Sequence, residues 1–300
     1  MRIKFEKWHG CKNDFIVIDT NQMELLQKSL VNSAPLLCSR DGDGVGADGI
    51  IILHKTGQAH QLPTDIAIIN SDGSIASTCG NGIRCAAMSV QKNAEKYSNA
   101  EDLSFLEFGL VDRSTVTCSF IDKSTVRVSM GTIEVHAEGD LFQKASSQIS
   151  KSLKSVDLNI SEAAYCSISN NHLVIVSPEA SKEKLQAIGP LLQDSPLWDG
   201  INVHLVKSMD PSILKIGQNL DVEEAFEVWT WERGAGETNA CGSGACAVGA
   251  FQLNSEMIDR SKWVGIRMPG GDLLVQQESK DDEVILAGPA KFVYSGELEI

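Results

Sequence analysis

Glu232-Arg-Gly-Ala-Gly-Glu-Thr-Asn-Ala-Cys-Gly-Ser-Gly-Ala-Cys246 places Cys241 between a glycine-rich turn and a run of small, helix-compatible residues, Ala245 to Ala250. A cysteine at that junction stands at a helix N-terminus, where the backbone N–H groups of Gly242, Ser243 and Gly244 lack intrahelical partners. Such a setting favours a thiolate and lowers a cysteine pKa from ~8.5 towards roughly 3.5–7.5. The same arrangement occurs earlier as Cys79-Gly-Asn-Gly-Ile-Arg-Cys85, followed by Ala86 to Val90. One such loop reads equally well as a tight turn over a buried thiol. Two of them, each opening a helix with Cys-Gly-(Asn/Ser)-Gly, point to a matched pair of reactive thiols.

Outward from these loops the pattern repeats. Strands are expected at Ile3–Trp8, Asp14–Ile18, Ile50–Leu53 and Thr64–Asn70, and a helix at Gln22–Val31. Strands at Leu103–Phe108, Thr115–Ile121 and Thr125–Ser129 follow the first cysteine loop. From about Gly131 the pattern restarts. Asn170 follows Asn13 at an offset of 157 (170 − 13), Gly288 follows Gly131 at 157 (288 − 131), and Cys241 follows Cys79 at 162 (241 − 79). Glu179–Ile188 matches the first helix, and Phe226–Trp231 precedes the second loop as Asp65–Ile69 precedes the first. Near-constant offsets over most of the length predict two copies of one α+β unit, residues 1–130 and 131–287.

Composition narrows the function. The formal charge of −14 argues against a nucleic-acid surface or an anionic membrane as partner. No apolar run approaches the ~20 residues of a membrane span, and the opening Met1-Arg-Ile-Lys-Phe-Glu-Lys lacks a signal-peptide core. A cytoplasmic protein is expected, and with it eight reduced cysteines rather than four disulfides. No Cys-x-x-Cys occurs and no Cys/His grouping has zinc spacing, so no metal site is expected. Gly242-Ser-Gly-Ala-Cys-Ala247 fits a loose dinucleotide fingerprint but follows no buried strand, and no P-loop exists. Cys118 and Cys166 lie in β-like runs and read as small core residues, as do Cys85 and Cys246 within the helices. His172 taken alone reads as a core histidine, and the other five histidines are assigned to surface or structure.

Together, Asn13-Asp-Phe-Ile-Val-Ile-Asp19, Asn70-Ser-Asp-Gly-Ser74, Cys79–Cys85, Glu232–Thr238, Cys241–Cys246 and Pro269-Gly-Gly271 resemble the diaminopimelate epimerase family from the first strand to the last. The resemblance implies two pseudo-symmetric α+β halves, each a curled mixed β-sheet around a central helix, with residues 288–300 returning to the first half. It also implies a homodimer acting on a small molecule without pyridoxal phosphate, other cofactor or metal. The implied reaction interconverts LL- and meso-diaminopimelate for lysine and peptidoglycan precursor synthesis.

That chemistry asks for two things. A carbanion forming beside a carboxylate needs donors, which two helix N-termini supply through Gly80, Asn81, Gly82, Gly242, Ser243 and Gly244. Inversion needs a base on one face and an acid on the other, the roles that the resemblance implies for Cys79 and Cys241. By the same resemblance His172 and Glu232 each assist one thiol, while Asn13, Asn70, Asn170, Asn202 and Arg233 hold the distal end of the substrate. Four departures stand out: Lys12 for a glycine, Asn171 for a proline, Gly200 for an arginine, and one extra residue in the loop at Asp41–Gly44. Two further readings stay open. One is a related cofactor-independent racemase of histidine or proline type; the other is a non-enzymatic thiol protein, a redox sensor or small-molecule binder.

Overall fold

The computed structural model describes residues 2–55, 61–97, 103–137, 156, 158–193, 200–217, 219–254 and 258–299, with the side chains of 23–25 excepted. The chain forms two compact units, one of Met1–Ser129 with Gly288–Ile300, the other of Met130–Ala287. The polar stretch 55–63 reads as a surface loop, and residues 56–60 of it lie outside the described residues.

In the first unit β1 (Arg2–Gly10) and β2 (Asn13–Thr20) form a hairpin, followed by α1 (Met23–Leu37), β3 (Gly49–His54), β4 (Asp65–Asn70) and β5 (Ile75–Ala76). Then come α2 (Gly80–Lys92), β6 (Phe105–Gly109), β7 (Thr115–Phe120) and β8 (Thr125–Ser129). The second unit repeats the order: β9 (Glu134–His136), β10 (Glu162–Ile168), β11 (Asn170–Val176), α3 (Lys182–Gln193), β12 (Asn202–Met209) and β13 (Val222–Glu232). It continues with β14 (Gly236–Thr238), α4 (Gly242–Leu253), β15 (Trp263–Met268), β16 (Gly271–Gln276) and β17 (Ile285–Pro289). Finally β18 (Lys291–Glu299) pairs antiparallel with β1 in the first unit, as β9 pairs with β10 in the second.

The pairings match strand for strand. β2–β3 and β11–β12 are parallel, β3–β4 and β12–β13 antiparallel, and β4–β6 and β13–β15 parallel. Each sheet carries helices on both faces. In the first unit Ile16, Ile18, Ile50, Ile52, Ala67 and Ile69 meet Leu26, Leu30, Ala34 and Leu37 of α1. The alternate residues Ile51 and Ile68 point the other way, onto Gly82 of α2. Burial on both faces is why these strands read as unbroken apolar runs. In the second unit Leu173, Ile175, Val203 and Leu205 meet Leu185, Ile188 and Leu192 of α3.

α2 packs on β1, β2, β3, β8 and β18, and α4 on β9, β10, β11, β12, β15 and β16. A helix that touches both borders of its sheet requires the sheet to curl around it. In α4 every residue but Ser243 is buried, which explains a sequence of small and apolar residues with no polar face. None of the described helices is long and apolar enough to cross a membrane.

Local differences from expectation have local causes. α1 runs on to Leu37 through Pro35, because Ala34 and Leu37 continue its buried stripe. α3 starts at Lys182, where the Ser181 hydroxyl accepts the Lys184 N–H (3.3 Å), a capping contact. The β1–β2 turn holds Cys11 and Lys12 at φ 52° and 66°, the two left-handed positions of a tight hairpin. Lys12 adopts there the conformation that glycine takes more readily.

Candidate active site

Each unit builds the same device at the head of its buried helix. Cys79 is extended (φ −151°, ψ 100°) and caps α2, its Sγ accepting the Gly82 N–H at 3.5 Å. Cys241 (φ −129°, ψ 111°) caps α4, its Sγ accepting the Gly244 N–H at 3.3 Å with the Ser243 hydroxyl 3.6 Å away. The geometry is that of an N-cap with sulfur in the place of oxygen.

In the first unit Gly80 and Asn81 follow Cys79 in the buried first turn of α2. Asn81 Nδ2 donates to Asn13 Oδ1 (3.2 Å), and Asn13, which opens β2, donates through its own Nδ2 to Asp48 (2.8 Å). Asn70 ends β4 opposite Gly49, and the Ser71 N–H donates to the Asp48 carbonyl at 3.1 Å, so strand pairing brings Asn70 beside Asp48. Its own amide donates to Ser74 Oγ (2.9 Å).

In the second unit the thiol of Cys241 is buried beside Glu232, whose Oε1 accepts from the Thr238 hydroxyl at 2.6 Å. Burial pushes the Cys241 pKa well up, and the neighbouring Glu232 charge pushes it further; the N–H of Gly244 opposes both. The lowering expected of a helix N-terminus is therefore outweighed here, because loss of water disfavours the thiolate more than the cap favours it. Burial also raises Glu232, which Thr238 and Cys241 hold back through hydrogen bonds. Gly242 is buried behind Cys241, and Ser243 is half-buried.

His172 sits on the inner face of β11, fully buried, beside Asn202 of β12. Its Nδ1 lies 2.8 Å from Nε2 of His204, whose Nδ1 lies 3.0 Å from the Thr230 hydroxyl, and its own Nε2 has no partner among the described residues. Burial drives the His172 pKa down to about 3, so both rings of this stacked pair stay neutral at pH 7. His204 thus belongs with His172 rather than to an unrelated part of the structure. Its signal in the sequence was its place two residues after Asn202, on the same face of one strand.

Asn202 Oδ1 accepts the backbone N–H of Arg233 at 2.9 Å and so shapes the turn that presents the exposed Arg233 side chain. Gly200 (φ +80°) lies under that side chain: a Cβ there would stand 2.1 Å from Arg233 Cδ. The departure at position 200 thus makes room for Arg233. Asn170 is exposed at the start of β11, after Ser169 in the left-handed region (φ 50°). Asn171 pairs with Ser167 of β10, so the strand ladder holds this segment without a proline ring. Arg84 and Asp48 were assigned no role from sequence; both bond directly to the site asparagines.

Two like units, each wrapped on a helix that a cysteine opens, define a class of duplicated α+β proteins. A phenazine biosynthesis protein of the PhzF family from Enterococcus faecalis shares the fold with a TM-score of 0.65 at 14% identity, each chain covered in full. Within that class, the family model for diaminopimelate epimerase matches residues 5–105 and 164–293, and the chain belongs to that family of isomerases. The diaminopimelate epimerase of Phocaeicola vulgatus is 29% identical over 303 residues, covering 99% of each chain. That of Carboxydothermus hydrogenoformans is 31% identical over 304 residues, covering 98% of this chain and 99% of its own.

Proposed function

We propose that the chain is a diaminopimelate epimerase, interconverting LL- and meso-2,6-diaminopimelate by moving one proton off and one proton onto the α-carbon. The observation that carries this reading is the cysteine N-cap built twice, once on each buried helix, in a chain that matches the family along both units. In the proposal Cys79 and Cys241 act on opposite faces of the α-carbon, one as thiolate and one as thiol. Glu232 exchanges a proton with the neighbouring Cys241, and His172 offers its Nε2, which has no partner among the described residues, as the second assisting group. The first-turn N–H groups at Gly80, Asn81, Gly242 and Ser243 take up the charge that develops on the α-carboxylate. Asn13, Asn70, Asn170, Asn202 and Arg233 hold the distal amino-acid group, with Arg233 suited to a bidentate grip on its carboxylate. The proposal includes a homodimer in the cytoplasm; the exposed Phe292 and Tyr294 on β18 support a protein–protein contact.

Turnover in D₂O tests the mechanism. The acid-side thiol carries solvent deuterium before substrate arrives, so newly formed epimer should be deuterated at the α-carbon early in the reaction. Remaining substrate should stay largely protiated, and Cys79→Ala and Cys241→Ala should each abolish epimerisation. Equal early label in substrate and product, or full activity in either variant, would end the two-thiol reading. Faster turnover of histidine or proline than of diaminopimelate would end the substrate assignment.

A further inference from the structure

Arg84 lies wholly buried behind the first turn of α2. Its acceptors are neutral: the Gly80 carbonyl at 3.3 Å, the Pro289 carbonyl at 3.5 Å, the Cys11 sulfur at 3.9 Å and Asn81 Oδ1 at 2.8 Å. A guanidinium has donors and no acceptor, so Asn81 must turn its oxygen to Arg84 and its nitrogen away. That nitrogen donates to Asn13 Oδ1, which leaves the Asn13 nitrogen to donate to Asp48 Oδ2. Asp48 closes the chain with a carboxylate, whose ionised form accepts and does not donate. It is anchored by Arg40 at 2.8 Å and by the Asp14 N–H at 3.0 Å.

The two ends of a primary amide are nearly identical in shape, so packing alone does not decide which end is oxygen. Here a donor-only group and an acceptor-only group close a four-member chain, and only one arrangement of the two amides between them makes every bond. In that arrangement Asn81 and Asn13 each keep one spare N–H. We propose that Arg84 and Asp48 are positioning residues that set the orientation of the Asn81 and Asn13 amides and thereby what those amides offer a substrate. The proposal rests on the reading of Asn13 and Asn81 as substrate-holding residues. Because direction passes through the chain, either end suffices to set it, and only the loss of both lets the amides flip.

The test uses full-length protein labelled with ¹⁵N-asparagine, in which the side-chain NH₂ signals of Asn13 and Asn81 are read without substrate, and KM and kcat are measured in parallel. In Asp48→Ala and in Arg84→Gln each amide should keep a single set of two inequivalent, slowly exchanging protons. In Asp48→Ala/Arg84→Gln the signals should split or average. KM should then rise by more than the product of the single effects, by an extra factor of roughly ten. Asp48→Ala/Arg84→Lys should regain the single set and most of the KM, because lysine again only donates. Equal behaviour of the lysine and glutamine variants in that background, or a single set in the double variant, overturns the proposal.

Melting temperatures give a second measurement that does not need the buried arginine changed. Asn13→Asp sets two acceptors against each other across the Asp48 contact. Adding Asp48→Ala removes one of the two acceptors and should recover part of the lost stability, whereas no recovery counts against the chain. A protein that shows the predicted NH₂ pattern yet does not turn over diaminopimelate would sink the functional reading and leave the relay standing.

Discussion

Cys79 and Cys241 share a cap but not an environment. Cys79 is half-buried, whereas Cys241 is buried against Glu232, whose charge and the loss of water together hold its proton on. Iodoacetamide near neutral pH should therefore modify Cys79 well before Cys241, as read by peptide mass spectrometry. Glu232→Gln removes the charge, and each pKa unit so lowered raises the thiolate fraction of Cys241 about tenfold. Its alkylation should then speed up, and an unchanged rate would mean that burial alone governs this thiol. At this scale the two thiols, Asn13, Asn70 and Asn81 were legible in the sequence because each sits in a dense local motif. Asp48 and His204 were not, because their importance comes from bonds made across 35 and 32 residues, and although Arg84 lies within the Cys79–Cys85 motif, its spacing does not show which acceptors the guanidinium meets.

The start of α4 is fitted over an imidazole. A Cβ on Gly244 would lie 2.2 Å from Cε1 of His204, a ring that is fully buried and tied to both His172 and Thr230. Gly244→Ala should cost about 1–3 kcal/mol in urea unfolding as the ring is displaced. It should also weaken the His172–His204 bond, visible in the ¹⁵N shifts of the two rings. The same pair predicts a pH dependence. Burial holds His172 at about 3 and His204 well below its ordinary value, so the folded protein keeps both neutral where the unfolded chain, titrating near 6.5, takes up protons. Stability from this pair is complete above pH 6.5 and falls as pH drops towards 3. The urea midpoint should decline between pH 6.5 and 4.5, and His204→Gln, with one buried imidazole fewer, should flatten that decline. Strand and helix types were legible from periodicity, but helix ends were not. The helix expected over Gln22–Val31 runs on to Leu37 because Ala34 and Leu37 are buried, and the start of α3 depends on a serine that caps it.

Duplication was the most legible property of the whole molecule, because paired offsets of 157–162 residues survive where side chains have diverged. The structure extends it to the order and direction of every shared strand pair. The two units nevertheless differ in how the chain supplies them. The unit of Met130–Ala287 is continuous, whereas the other takes its border strand β18 from residues that follow the whole of its neighbour in sequence. Loop closure over that distance slows assembly. In refolding with pulsed thiol labelling, Cys166 and Cys246 should be protected before Cys85 and Cys118, all four being buried in the finished fold. Simultaneous protection would indicate one cooperative folding step. During synthesis the asymmetry becomes an order of events. A nascent chain halted after Pro289 has every residue of the Cys241 helix and its sheet, and it has Cys79 too, but the sheet around Cys79 still lacks its border strand β18. The ribosome thus completes the second copy of the gene's repeat before the first.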